Sequence, residues 1–257
     1  MDDHSPMTTI DPVGNRYFKP LLLADSVLDG LFYTSAALSL LTPLLDRSKS
    51  PFWYDVAQGA FALAVLAYFL LGLAIRLYFS PRAQNGRYRD FLSHALNKPL
   101  DFEKSDGYYN NAQRTEKGRI TAQVFESSFF TKNILSVMAV RERIKLVIYV
   151  VLWLLVIFYR ASDLAFVAIF AQIIFSEQIA SRCARLEWLR FRSERVYEEL
   201  YRAFQTKADL KIISLEYLGL YEMAKATAAI SLSTSIFDQH REAWNREWDQ
   251  IRSALNL

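Results

Sequence analysis

The chain has 257 residues, 30 Lys+Arg against 27 Asp+Glu for a net charge of +3, and a hydrophobic share of 52%. A charged share of 22% beside that apolar share excludes both a disordered chain and one wholly buried in lipid. One cysteine, Cys183, allows no intramolecular disulfide, and His4, His94 and His240 lie too far apart in sequence to suggest a histidine-rich metal site.

The acidic opening MDDHSP lacks the basic region of a signal peptide. Gly30 to Leu45 is an uncharged run of sixteen residues, about 24 Å of helix. It extends back toward Pro20 if Asp25 and Asp29 sit at the interface or face a polar interior. Asp46, Arg47, Lys49, Ser50 and Pro51 form a turn. Val56 to Ile75 then gives twenty residues without a charge, about 30 Å, the thickness of a bilayer's hydrocarbon core. Trp53, Tyr54, Tyr78 and Phe79 flank it, as amphipathic rings do at headgroup level. These two spans make a hairpin.

Residues 82–119 are polar, with turn signals at Pro81, Gly86, Asn97-Lys98-Pro99 and Asp106-Gly107 and a short helix around Tyr88 to Leu96. A helical period runs from Glu116 to Arg143 through Ile120, Val124, Phe125, Phe129, Ile134, Leu135 and Met138. Leu146–Tyr159 and Leu164–Ser176, of fourteen and thirteen residues, form an apolar block broken only by Arg160 and Asp163. Each alone is short for a span, but Lys145 and Arg160 can lift their charges to the headgroups, which favours a second membrane hairpin over a re-entrant pair. Ser162 or Asp163 would cap the next helix. That helix should continue through Phe204, supported by Arg190–Glu194 and Glu198–Arg202 pairs. Ile212 to Phe237 reads as further helix, and a last amphipathic helix puts Trp244, Trp248, Ile251 and Leu255 on one face.

The resulting fold class is all-α: an integral membrane protein with two transmembrane hairpins, residues 20–80 and 144–180. The cytoplasmic parts are residues 1–19, 81–143 and 181–257. Counting Lys and Arg near the span ends gives three on the outer turns (Arg47, Lys49, Arg160) against thirteen on the other side. Both termini are therefore expected in the cytoplasm.

No phosphate-cradling GxxxxGK[ST], HExxH, CxxC or G-x-S-x-G occurs, so the sequence points away from an enzyme and toward no metal or cofactor. Cys183 fits a packed small residue better than a nucleophile. Four constellations stand out. Asp25 and Asp29 share a helix face, suited either to a carboxylate ring at a pore or, the favoured reading, to a solvated lead-in helix. Gly59, Ala60, Ala67 and Gly72 in the second span allow close helix packing, between subunits or within one. Gln172, Ser176 and Glu177 either face a polar interior or mark where the fourth span ends. Arg76, Arg82, Arg87 and Arg89 alternate with aromatic rings, which suits a membrane anchor on anionic lipid better than a nucleic-acid groove. Phe129, Phe130, Arg190, Trp244 and Trp248 are candidates for docking a partner, with packing of the cytoplasmic bundle as the alternative.

Two stretches carry a family likeness: SDGYYNN followed by VFESSFFTKNIL, and the ending with YEMAK, LSTSIF and WDQIR. With the order of parts, they resemble the four-span membrane effectors of bacterial anti-phage systems, encoded beside retrons or cyclic-nucleotide signalling operons. The likeness implies a toxin of the inner membrane, held silent by neighbouring components and released on infection to permeabilise or depolarise it. Its partners would be the bilayer, further copies of itself, and a sensor such as a reverse transcriptase with its nucleic acid or a nucleotide-signal receptor. Whether nucleic acid touches this chain directly stays open. The alternatives are a housekeeping channel or transporter, and a membrane anchor that recruits a cytoplasmic partner.

Overall fold

The computed structural model describes residues 11–100, 105, 113–158, 164–174 and 176–257, and among them every regular element is helical. The α-helices are α1 (Lys19–Leu41), α2 (Pro51–Ala74), α3 (Ser80–Leu96), α4 (Glu116–Phe158), α5 (Leu164–Ile174), α6 (Arg182–Gln205), α7 (Leu210–Ala228) and α8 (Thr234–Leu255). Among the described residues, three stretches are long and apolar enough to cross a membrane: Gly14–Leu44, Pro51–Leu96 and Phe166–Gln205. The apolar end of α4 is not among them. Arg141, Glu142, Arg143 and Lys145 crowd its start, and residues 159–163, with the expected cap at Ser162 or Asp163, lie outside the described residues.

Two compact units divide the chain. One comprises Met1–Pro20, Ser80–Met138 and Leu186–Leu257; the other comprises Leu21–Phe79 and Ala139–Arg185. In the first, Phe125, Phe129, Val196, Leu200, Leu218, Tyr221 and Trp248 pack one core, and Ile134, Leu135, Leu186, Leu189, Ala224 and Ile236 pack a second. The rings meet edge-on and offset: Phe125 stacks on Tyr197 at 5.0 Å, and Trp248 lies 5.1 Å from Phe125 and 5.5 Å from Phe129. Tyr221 closes the polar remainder, its hydroxyl 2.7 Å from the Thr131 hydroxyl and donating to the Ser127 carbonyl at 3.1 Å.

The second unit has a small core of Phe32, Ile173 and Ile179, with Tyr68, Leu146, Tyr149 and Ile169 against it. Its other large apolar side chains, including Leu63, Leu66, Phe69, Leu70, Val147, Ile148 and Phe158, point outward. Exposed apolar surface on that scale is rare in water-soluble monomers.

Several boundaries differ from those read in the sequence. Pro81 and Gly86 do not end a helix; α3 starts at Ser80. A proline inside a helix clashes with the carbonyl four residues earlier, and here the preceding turn, Ile75–Phe79, is widened to π-helix. Pro20 is likewise preceded by a π-helical turn at Gly14–Phe18. The expected Ile212–Phe237 helix is broken: α7 stops at Ala228, Ala229 takes a positive φ of 47°, and Ser233 caps α8 by accepting from the Ile236 amide at 3.4 Å. The expected continuous helix from Leu164 is interrupted by a π-helical turn, Glu177–Ser181, between α5 and α6. Arg190 does pair with Glu194, at 3.3 Å, and also with Glu187 at 3.2 Å, but Arg202 pairs with Glu199 instead of Glu198.

Candidate functional site

Polar side chains from α1, α2, the Glu177–Ser181 turn and α6 converge in the mainly apolar second unit. Asp29 sits midway along α1, with Phe32 one turn further on. Arg182, the first residue of α6, donates from Nη1 to Asp29 Oδ1 at 3.1 Å and to Oδ2 at 3.3 Å. Gln178, in the Glu177–Ser181 turn, donates from Nε2 to Asp29 Oδ1. The Tyr68 hydroxyl of α2 donates to Gln178 Oε1 at 3.4 Å. Neither charge is fully exposed, at 36% for Asp29 and 27% for Arg182. Below this ladder lie Phe32 and Tyr68, with ring centroids 6.2 Å apart.

The turn explains how Gln178 reaches Asp29. Its backbone closes with the Ser181 amide on the Ser176 carbonyl, a bond spanning five residues where an α-helix spans four. That extra residue advances the face on which Gln178 and Arg182 emerge. The sequence pattern singles out Asp29 but neither Arg182 nor Gln178. There, Arg182 stands only among the basic residues beyond a span.

The other sequence candidates fall elsewhere. Asp25 is half-buried one turn before Asp29. Gln172 is exposed and does not join the cluster. The Ser176 hydroxyl is buried without a hydrogen-bond partner among the described residues, and the Glu177 side chain lies outside them. Gly59, Ala60 and Ala67 face outward on α2, and a methyl group on Gly59 would meet nothing, so they do not pack against α1. Gly72 does turn inward, 3.8 Å from Leu28 at the position of a Cβ. Of the side chains that suit either docking or packing, Phe129 and Trp248 lie in the core, 0% and 5% exposed. Phe130 and Trp244 pack partly buried against the same cores, and Arg190 is half-buried in its ion pairs.

Compared with family models, curated proteins and solved structures, the chain matches none.

A second polar group lies in the first unit. Asp90, 0% exposed, accepts from the Ser105 amide at 3.0 Å and from the Ser105 hydroxyl at 2.6 Å. His94 Nε2 is 3.2 Å from the same hydroxyl and 3.7 Å from Asp90. Serine, histidine and aspartate thus meet, but not as a nucleophilic relay. Both partners gather on one imidazole nitrogen and the hydroxyl donates to the carboxylate, whereas a relay places them on opposite nitrogens. The group fastens Ser105 to α3. The remainder of SDGYYNN, residues 106–111, lies outside the described residues.

Beside it, Arg87 Nη2 binds Asp11 Oδ2 at 2.6 Å, while Asp11 Oδ1 accepts from the Gly14 amide at 2.8 Å and caps the first helical turn. Arg87 also covers the Phe18 ring at 5.3 Å. Of the arginines expected to anchor on lipid, Arg87 is thus occupied within the fold. No trio of His, Cys, Asp or Glu side chains suited to a metal occurs among the described residues.

Proposed function

We propose that the chain is a membrane-permeabilising effector of a bacterial anti-phage system, silent in complex with partner components and released on infection. In this reading residues 20–80 and 144–180 form two hairpins that cross the inner membrane four times with both termini cytoplasmic. Several copies assemble to form the leak. The observation that carries it is the outward apolar surface of Pro51–Leu96, none of whose most apolar window is buried. The resemblance of SDGYYNN, VFESSFFTKNIL and the tail to four-span defence effectors supplies the biological setting. The sensor would be a reverse transcriptase with its nucleic acid or a nucleotide-signal receptor.

The test is expression of the chain alone from an inducible promoter, with a potential-sensitive dye. Depolarisation and growth arrest are expected. Normal growth with intact potential, and the protein confirmed in the membrane fraction, would overturn the reading.

One observation favours a second reading, a membrane anchor that recruits a cytoplasmic partner. Along α7, Ile212, Leu215, Leu220 and Met223 are exposed while Leu218, Tyr221 and Ala224 on its other face are buried. Deleting residues 20–80 separates the two: an anchor keeps its partner, whereas a permeabiliser loses all effect on the membrane.

A further inference from the structure

Of the three π-helical turns among the described residues, two have a local cause, since Gly14–Phe18 and Ile75–Phe79 lie just before Pro20 and Pro81. The third, Glu177–Ser181, precedes no proline. An inserted residue without such a cause is a strained choice that a packed structure must hold in place, and such insertions recur at functional sites. Here it directs Gln178 and Arg182 onto Asp29. Returning the turn to α-helical register removes the insertion and rotates the start of α6 by about 100°, one residue of a 3.6-residue turn. That rotation carries Arg182 off Asp29. The structure holds the paired arrangement, and an α-helical register at the same turn would be a second, unpaired one, the kind of alternative a switch requires.

We propose that the Asp29–Arg182 pair, steadied by Gln178 and Tyr68, is the latch that holds α1 against the start of α6 in the silent state. A change of register at Glu177–Ser181 opens it. This rests on the reading of the chain as a membrane permeabiliser, and it names a restraint within the chain that partner components reinforce, so that the chain alone leaks slowly and leaks faster once the pair is broken. Separation leaves two charges without partners in an apolar unit, so the open state drives its helices to find new ones, in lipid headgroups or in further copies.

The full chain is reconstituted in dye-loaded vesicles of phosphatidylethanolamine and phosphatidylglycerol, alongside Asp29→Asn, Arg182→Gln, Asp29→Glu and Arg182→Lys. Each neutralising variant is expected to release dye about tenfold faster than the unaltered chain, the scale of a coupling between two sites. The charge-keeping variants should stay close to it. Deleting Ala180, which takes one residue from the turn, should leak like the neutralising variants. If a single variant does not incorporate, the double Asp29→Asn, Arg182→Gln replaces it, leaving no lone charge. Its leak at the level of the deletion supports the latch, and its silence overturns it.

Neutralising variants no leakier than the unaltered chain, while that chain still depolarises cells when overexpressed, would overturn the latch and leave the permeabiliser reading standing. Equal leak from neutralising and charge-keeping variants would also overturn the latch. No leak from any variant and no depolarisation by the unaltered chain would remove the permeabiliser reading itself.

Discussion

The Lys132 ammonium lies 3.6 Å from the centroid of the Tyr197 ring. The contact joins α4 to α6 inside the first unit and places a cation on the negative face of an aromatic ring. Burial lowers the Lys132 pKa from its usual value, and Glu247, Glu194 and Glu198 pull it partly back. Burial pushes Tyr197 up to about 12, with Tyr201 and Glu247 adding to it.

Those shifts have opposite signs in stability. Tyr197 holds its proton longer folded than unfolded, so its contribution is complete below about pH 10 and is lost as the pH rises toward about 12. Lys132 binds its proton more weakly folded, so stability gains as the pH rises toward its unfolded value. Tyr197→Phe keeps the ring and removes the phenol. The variant should show a shallower fall in unfolding midpoint across the alkaline range, measured by circular dichroism in detergent. An unchanged slope would show that other groups govern it.

Trp248 touches Phe125, Phe129 and Phe130. Trp248→Ala should cost about 3–5 kcal/mol, the usual loss for a large buried ring. The indole N–H has no acceptor among the described residues. Trp248→Phe therefore gives up no hydrogen bond there and should cost clearly less. Chemical denaturation of both variants checks the difference.

Gly86 is a case of close approach. A Cβ there would lie 2.9 Å from Tyr17 Cδ2 and 3.4 Å from Val13 Cγ1. Gly86→Ala should destabilise by about 1–3 kcal/mol through overpacking. In a Tyr17→Ala background the obstacle is gone, and the same change should stabilise by up to about 1 kcal/mol through helix propensity. A double-mutant cycle on thermal unfolding reads the reversal of sign.

Lys207 and Ala229 take positive φ values of 50° and 47° at the ends of α6 and α7. A side chain in that region costs about 1–2 kcal/mol, part of which glycine returns to the unfolded chain. Ala229→Gly should raise stability by about 0.5–1 kcal/mol. A fall in the unfolding midpoint would show that the Ala229 methyl group packs favourably.

How much of the fold is legible from residue order depends on whether the cause is local. The helix at Glu116 and the amphipathic tail carrying Trp244 and Trp248 arise from periodicity, because apolar spacing reports burial directly. The end of α3 at Asn97-Lys98-Pro99 is legible too: Asn97 takes φ 51°, and the Lys98 amide returns to the Ser93 carbonyl at 3.1 Å. The break before Thr234 is hidden although Ser233 is a favoured capping residue, since Ile230 and Leu232 continue the apolar pattern across it. Asp29 is conspicuous as a carboxylate in an apolar stretch. Its partner is 153 residues away, beyond a helical turn whose extra residue leaves no mark in the sequence. Phe129 and Trp248 stand out as a pair of important rings but not as buried ones, because ring-rich helix faces look alike whether they meet each other or a partner.

The Asp11–Arg87 contact spans 76 positions in the chain. On a ribosome the aspartate therefore emerges well ahead of its arginine, and every residue of α1 and α2 is synthesised between the two. The ion pair is a late contact, and a chain that stops anywhere before Arg87 lacks it.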